Sequence, residues 1–150
     1  MNIRVAIITL SDKGSKGERE DESGRAIHEM IAGMNARVVH YEVLPDEKQR
    51  IIEVLSRLSD SGAIDLIITT GGTGVSARDV TPEATQAVID RALPGMAEAM
   101  RAESLKKTPR AMISRAVVDK ISFAHLEYKI AIHGIYLSAA HFFDKKTIAR

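Results

Sequence analysis

The chain has 150 residues, 45% apolar and 27% charged, and its 21 Lys and Arg stand against 20 Asp and Glu for a net charge of +1. That length suits a single domain, residues 1–150, with a core covering about two thirds of the unfolded surface. The interspersed charge, with three Phe, three Tyr and no Trp, excludes the basic stripe and stacking platform of a nucleic-acid binder. No apolar run reaches the roughly 18 residues of a membrane span, the first ten residues lack a secretory pattern, and the absence of cysteine excludes disulfides and thiolate sites. A cytoplasmic protein with a small-molecule partner is expected.

Residues 3–10, IRVAIITL, form a β-branched run that predicts a strand buried on both faces. Ile27, Met30, Ile31 and Met34 fall at i, i+3, i+4 and i+7, predicting a helix over 21–34 that ends at Gly33 and Asn35. Residues 37–44, RVVHYEVL, read as a second strand stopped by Pro45, and Ile51, Val54, Leu55 and Leu58 mark the helix after it. A third buried strand is expected over DLIITT, 65–70. Thr81 as N-cap and Pro82 as first helical residue predict a helix running to Ala92. Pro94 and Gly95 are read as a break, 96–107 as a helix and 109–118 as a short last one. Strands alternating with helices at short separations predict an α/β fold: a three-layer sandwich with a mostly parallel sheet.

In such sheets ligands bind beyond the carboxyl ends of the strands. That rule selects Ser11 and Asp12, then Pro45, Asp46 and Glu47, then the run from Gly71. Gly71, Gly72 and Gly74 leave backbone N–H groups open to an anion, with Thr73 and Ser76 as hydroxyl donors, although a plain tight turn uses glycine in the same way. Asp46 and Asp79 suit a Mg²⁺ ion beside a phosphate; equally, Asp46 suits the N-cap of the helix that follows and Asp79 a bond within its own loop. Lys106, Lys107, Arg110 and Arg115 read as a phosphate clamp or as a solvated helix end. His125, His133 and His141 recur at a spacing that fits no common zinc pattern.

TLSD at 9–12, PDE at 45–47, TTGGTGVSARDVTPEAT from Thr69 to Thr85, PGMAEAMR at 94–101 and TPRAMISRAV at 108–117 together resemble the MogA/MoaB family of molybdenum cofactor biosynthesis. The resemblance implies the molybdopterin-binding fold and adenylyl transfer from ATP to molybdopterin with Mg²⁺, releasing pyrophosphate. It implies Asp46 and Asp79 as the catalytic and metal-holding aspartates. Ser11, Asp12, Gly71, Gly72, Thr73, Gly74, Ser76, Thr81, Pro82, Glu98, Ser114 and Arg115 are implied around molybdopterin and ATP. It also implies a homotrimer, or a hexamer of trimers, and a MoeA-like molybdenum insertase as partner.

Residues 119–150 depart from the family pattern. The family carries an NLPGSP-type loop that closes over nucleotide and pterin, and no proline occurs here after Pro109. A divergent tail and a change of reading frame near codon 118 both account for this. A strand over 128–137 and a terminal helix over 138–150 remain expected, and a pterin-binding or assembly protein without turnover stands as the second functional reading.

Overall fold

A computed structural model describes residues 2–120 and 130–133. β1 (Ile3–Leu10) is followed by a one-turn helix α1 (Asp12–Ser15), α2 (Glu22–Ala32), β2 (Ala36–Leu44), α3 (Lys48–Asp60) and β3 (Leu66–Thr70). Then come α4 (Thr81–Gln86), β4 (Arg91–Ala92), α5 (Pro94–Leu105), a 3-10 turn (Pro109–Ile113), β5 (Val118–Lys120) and β6 (Ile130–His133). The strands form one sheet in the order β2-β1-β3-β6-β5-β4. β2, β1, β3 and β6 run parallel, and β5 pairs antiparallel with both β6 and β4.

Alternation along β1 creates the three layers, because successive side chains in a strand point to opposite faces. Ala6, Ile8 and Leu10 join Val54, Leu55 and Leu58 of α3 and Ala84 of α4 in one buried cluster. Val5 and Ile7 join Ile27 and Ile31 of α2 and Ala97 and Met100 of α5 in the other. This is why the β1 sequence reads as a continuous apolar run rather than an alternating one.

Pairing of β1 with β2 skips Val39: Val5 lies opposite Val38, but Ala6 lies opposite His40. The skip brings the two strands level at their ends, with Leu10 opposite Leu44. The Ser11 N–H then donates to the Leu44 carbonyl at 2.8 Å. The loops that follow both strands therefore start side by side.

Three expected elements differ. The helix over 81–92 stops at Gln86, because its last turn tightens as the Val88 N–H donates to the Thr85 carbonyl. Val88 and Ile89 then pack on the α3 side of the core, and Arg91 and Ala92 pair with β5. Pro94 and Gly95 open α5 instead of breaking the chain, since proline suits the first helical turn, where its missing N–H costs nothing. Residues 109–113 form only a 3-10 turn before the chain extends into β5. β6 falls within the expected strand over 128–137; the helix over 138–150, His125 and His141 lie outside the described residues.

Candidate functional site

The carboxyl ends of β1, β2 and β3 meet at one edge of the sheet, and the three loops selected by sequence converge there. Asp12 and Asp46 exchange backbone bonds: the Asp12 N–H donates to Asp46 Oδ2 at 3.1 Å, and the Asp46 N–H donates to Asp12 Oδ1 at 3.0 Å. Asp46 is thus committed to the neighbouring loop. It does not cap α3, whose N-cap is Glu47 and carries no side-chain bond. Ser11 caps α1, its hydroxyl oxygen accepting from the Gly14 N–H at 3.0 Å.

Gly71 and Gly72 have φ of +94° and +62°, in the region that favours glycine. A Cβ on Gly71 would stand 2.2 Å from the Leu10 carbonyl oxygen, so the close approach of the β1 and β3 loops also requires glycine. A Cβ on Gly72 would stand 3.0 Å from Asp46 Oδ1, and one on Gly74 2.8 Å from Asp79 Oδ2. Both aspartates named by sequence therefore lie against the glycine loop, on either side of a bare stretch of backbone.

Thr81 is the first residue of α4 and not its N-cap, which is Val80. Its hydroxyl donates to the Gly71 carbonyl at 2.9 Å, which draws it away from the helix N–H groups. Thr81 and Pro82 are both buried, and the Thr81 N–H also donates to the Gly72 carbonyl at 3.1 Å, which ties the loop to the start of α4. Asp79 makes the bond expected within its own loop, accepting from the Ser76 N–H at 2.7 Å. Ser76 is exposed, and its hydroxyl oxygen accepts from the Arg78 N–H at 3.3 Å.

Arg115 holds the loop from the other side. Its backbone N–H donates to the Thr73 carbonyl at 2.9 Å, Nε to the Gly74 carbonyl at 2.6 Å and Nη2 to the Asp79 carbonyl at 2.5 Å, while Nη1 pairs with the Glu83 carboxylate. Its fork is committed to protein oxygens, so it shapes the loop, which distinguishes it from a free phosphate clamp. Ser114 precedes it, half-buried. Glu98 stands exposed on α5, and among the described residues no hydrogen bond or ion pair joins it to the other candidates. Lys106 pairs with Glu103 at the exposed end of α5, the solvated alternative for that basic group.

Sequence reading missed Arg78. Its guanidinium forks onto Asp12, with Nε to Oδ2 at 3.0 Å and Nη2 to Oδ1 at 2.7 Å. An arginine beside Asp79 in SARDV was the available signal, but nothing local identifies a partner 66 positions away. Arg78 holds the Asp12 carboxyl below its usual range, with the bond from the Asp46 N–H as the next cause. Asp46 moves the other way: burial pushes its carboxyl up, and the charges of Asp12 and Asp79 add to the push. The Asp12 N–H and the Arg78 charge oppose that push without cancelling it.

No group of three or more His, Asp or Glu side chains among the described residues is placed to cage a metal alone. The donor set still fits Mg²⁺, which keeps waters and takes one or two carboxylates together with substrate phosphates. Asp46 and Asp79 offer hard oxygens beside a loop where a Cβ would intrude.

Fold and crevice together define an α/β domain whose loops converge at the carboxyl edge of a parallel sheet, the place where sheets of this kind bind ligands. The family model for a probable molybdopterin-binding domain matches residues 6–136, and the chain belongs to that family, in its MogA/MoaB branch. It is 44% identical over 115 residues to a molybdopterin adenylyltransferase of Helicobacter pylori strain J99, covering 75% of this chain and 65% of the relative. It is 39% identical over 117 residues to the one of Escherichia coli K12, covering 77% and 60%. The chain thus spans somewhat under two thirds of the length of these curated relatives. Among solved structures, it resembles the molybdopterin biosynthesis enzyme MoaB of Thermus thermophilus with a TM-score of 0.78 and 44% identity, over 87% of this chain and 79% of that one. The family match runs to 136, past Val118, where the quoted motifs stop, and it takes in β6.

Proposed function

We propose that the chain transfers the adenylyl group of ATP to molybdopterin. The observation that carries this reading is the pair Asp46 and Asp79 set against residues 71–74, in a chain similar to molybdopterin adenylyltransferases. The terminal phosphate oxygen of molybdopterin attacks the α-phosphorus of ATP, the bond to the bridging oxygen of the β-phosphate breaks, and pyrophosphate leaves. Protein groups supply position and charge rather than covalent chemistry. Backbone N–H groups of residues 71–74 cradle phosphate oxygens, with Thr73 and Ser76 as further donors and Ser11 and Asp12 on the crevice wall. Arg115 and Thr81 keep the loop in shape through their bonds to it. Asp46 and Asp79 would hold Mg²⁺, which when bound offsets the charge of the polyphosphate.

Incubating the protein with molybdopterin, Mg²⁺ and α-labelled ATP tests the reaction. Label should pass to molybdopterin, and Asp79→Ala should remove at least about 100-fold of the rate, the scale of losing one preorganised electrostatic contact. Absence of transfer in the unaltered protein would overturn the reading. A second reading, a pterin-binding or assembly protein without turnover, is favoured by the missing NLPGSP-type loop in residues 119–150. Tight pterin binding without label transfer would establish it.

A homotrimer, or a hexamer of trimers, in the cytoplasm and a MoeA-like insertase as receiver of the product complete the proposal. The family supports both the assembly and the insertase, and lack of cysteine agrees with a reducing compartment. No helix among the described residues is long and apolar enough to cross a membrane. Light scattering would give the subunit number directly.

A further inference from the structure

Among the described residues, the guanidinium groups of Arg115 and Arg78 stand beside the glycine loop in opposite situations. Arg115 gives its donors to two main-chain carbonyls and to Glu83, which fixes it in the scaffold. Arg78 stands on the open side, with its side chain 58% exposed, and among the described residues its guanidinium holds only the carboxylate oxygens of Asp12, itself 39% exposed. Exposed pairs of this kind contribute little to stability and exchange partners readily. The fork that matches a carboxylate also matches a phosphate.

The surroundings decide what such an exchange does. Asp12, Asp46 and Asp79 crowd one crevice, and Arg78 lies within reach of the fields of both Asp12 and Asp46. A polyphosphate approaching three carboxylates meets repulsion unless positive charge turns toward it. We propose that Arg78 is a positioning residue that exchanges partners: it screens Asp12 and Asp46 in the free protein and turns to a phosphate group of the nucleotide when a divalent cation engages the carboxylates. This inference rests on the adenylyl-transfer reading. It adds a residue with two successive tasks, guarding the carboxylates and then holding the substrate.

Exchange makes a prediction with opposite signs. Removing the guanidinium should strengthen the carboxylates' hold on a bare cation and weaken their hold on a nucleotide. The test uses Arg78→Gln and Arg78→Lys. Mn²⁺ binding without nucleotide is read by electron paramagnetic resonance, and binding of Mg²⁺ with a non-hydrolysable ATP analogue is read by calorimetry. Arg78→Gln should bind Mn²⁺ roughly three- to tenfold tighter, as one neighbouring positive charge is lost. It should bind the nucleotide about 10- to 100-fold more weakly, the scale of charge-assisted bonds. Arg78→Lys, which keeps the charge but lacks the fork, should restore the Mn²⁺ affinity while recovering the nucleotide only in part. A loss of both affinities in Arg78→Gln would mean that the side chain merely shapes the loop, and unchanged nucleotide binding would mean that it never meets phosphate. Either result overturns the exchange alone. Failure of the unaltered protein to bind the nucleotide would instead overturn the adenylyl-transfer reading, and this proposal with it.

Discussion

Asp46 is held in a state that costs stability when it is ionised. Burial, with Asp12 and Asp79 nearby, raises its carboxyl pKa in the folded chain. A raised carboxyl contributes stability below its unfolded value and loses it as pH rises through the folded value, so ionised Asp46 costs stability near neutrality. Asp46→Asn should abolish adenylyl transfer and raise the melting temperature at pH 7, and calorimetry should find that the gain disappears in acid, where the native carboxyl is protonated. A melting temperature that falls at pH 7 would contradict this account. The place of Asp46 beside the glycine loop was legible because PDE follows a strand and precedes a helix. Its release from capping α3 was not, because that depends on the Asp12 N–H from another loop. Arg78 stayed hidden for the same reason: spacing along the chain reveals neighbours on one element, and its partner is on a different one.

Helix α2 shows what an element needs beyond periodicity. Asp21 caps it, Oδ1 accepting from the Gly24 N–H at 2.9 Å, while Oδ2 accepts the hydroxyl of Tyr41 on β2. The space is closed: a Cβ on Gly24 would meet Asp21, Tyr41 and Thr9 at 2.2, 2.5 and 2.8 Å. Asp21→Ala should cost about 1–2 kcal/mol in urea unfolding and Tyr41→Phe about 1 kcal/mol. Burial first, and the bond to Asp21 next, push the Tyr41 hydroxyl up to about 12 from an ordinary 10.0. Its contribution is therefore complete below the unfolded value and lost as pH rises through the folded one, and the penalty of Tyr41→Phe should shrink in that window. At the other loop, Gly71→Ala should destabilise by at least about 1–2 kcal/mol from backbone conformation alone, with more added by the clash on the Leu10 carbonyl. Helices α2 and α3 were readable from their apolar stripes. α4 was overextended, because Val88 and Ile89 continue a helical pattern that the core claims for a different path.

For the whole molecule, the parallel sheet and the three layers were legible, since β1, β2 and β3 and the helices between them carry the pattern locally. The far half was not. The order β3-β6-β5-β4 joins short strands, and it sets β6 beside β3 and β5 beside β4 across long stretches of sequence. β6 lies in the segment where family motifs cease, yet it is an inner strand between β3 and β5. A chain ended at Val118 should therefore show no cooperative thermal transition by circular dichroism, because β3 would lose its pairing along one edge. Retention of a sharp transition would show that β1 to β3 fold without it.

The direction of β6 has a practical meaning for protein engineering. Its register, Leu66 opposite Ile130 through Thr69 opposite His133, points it the same way as β3. The polypeptide thus leaves His133 at the edge where Gly71, Asp46 and Asp79 stand. That makes His133 a natural splice point: a family-type NLPGSP segment grafted after it would begin beside the crevice, with no change to the sheet.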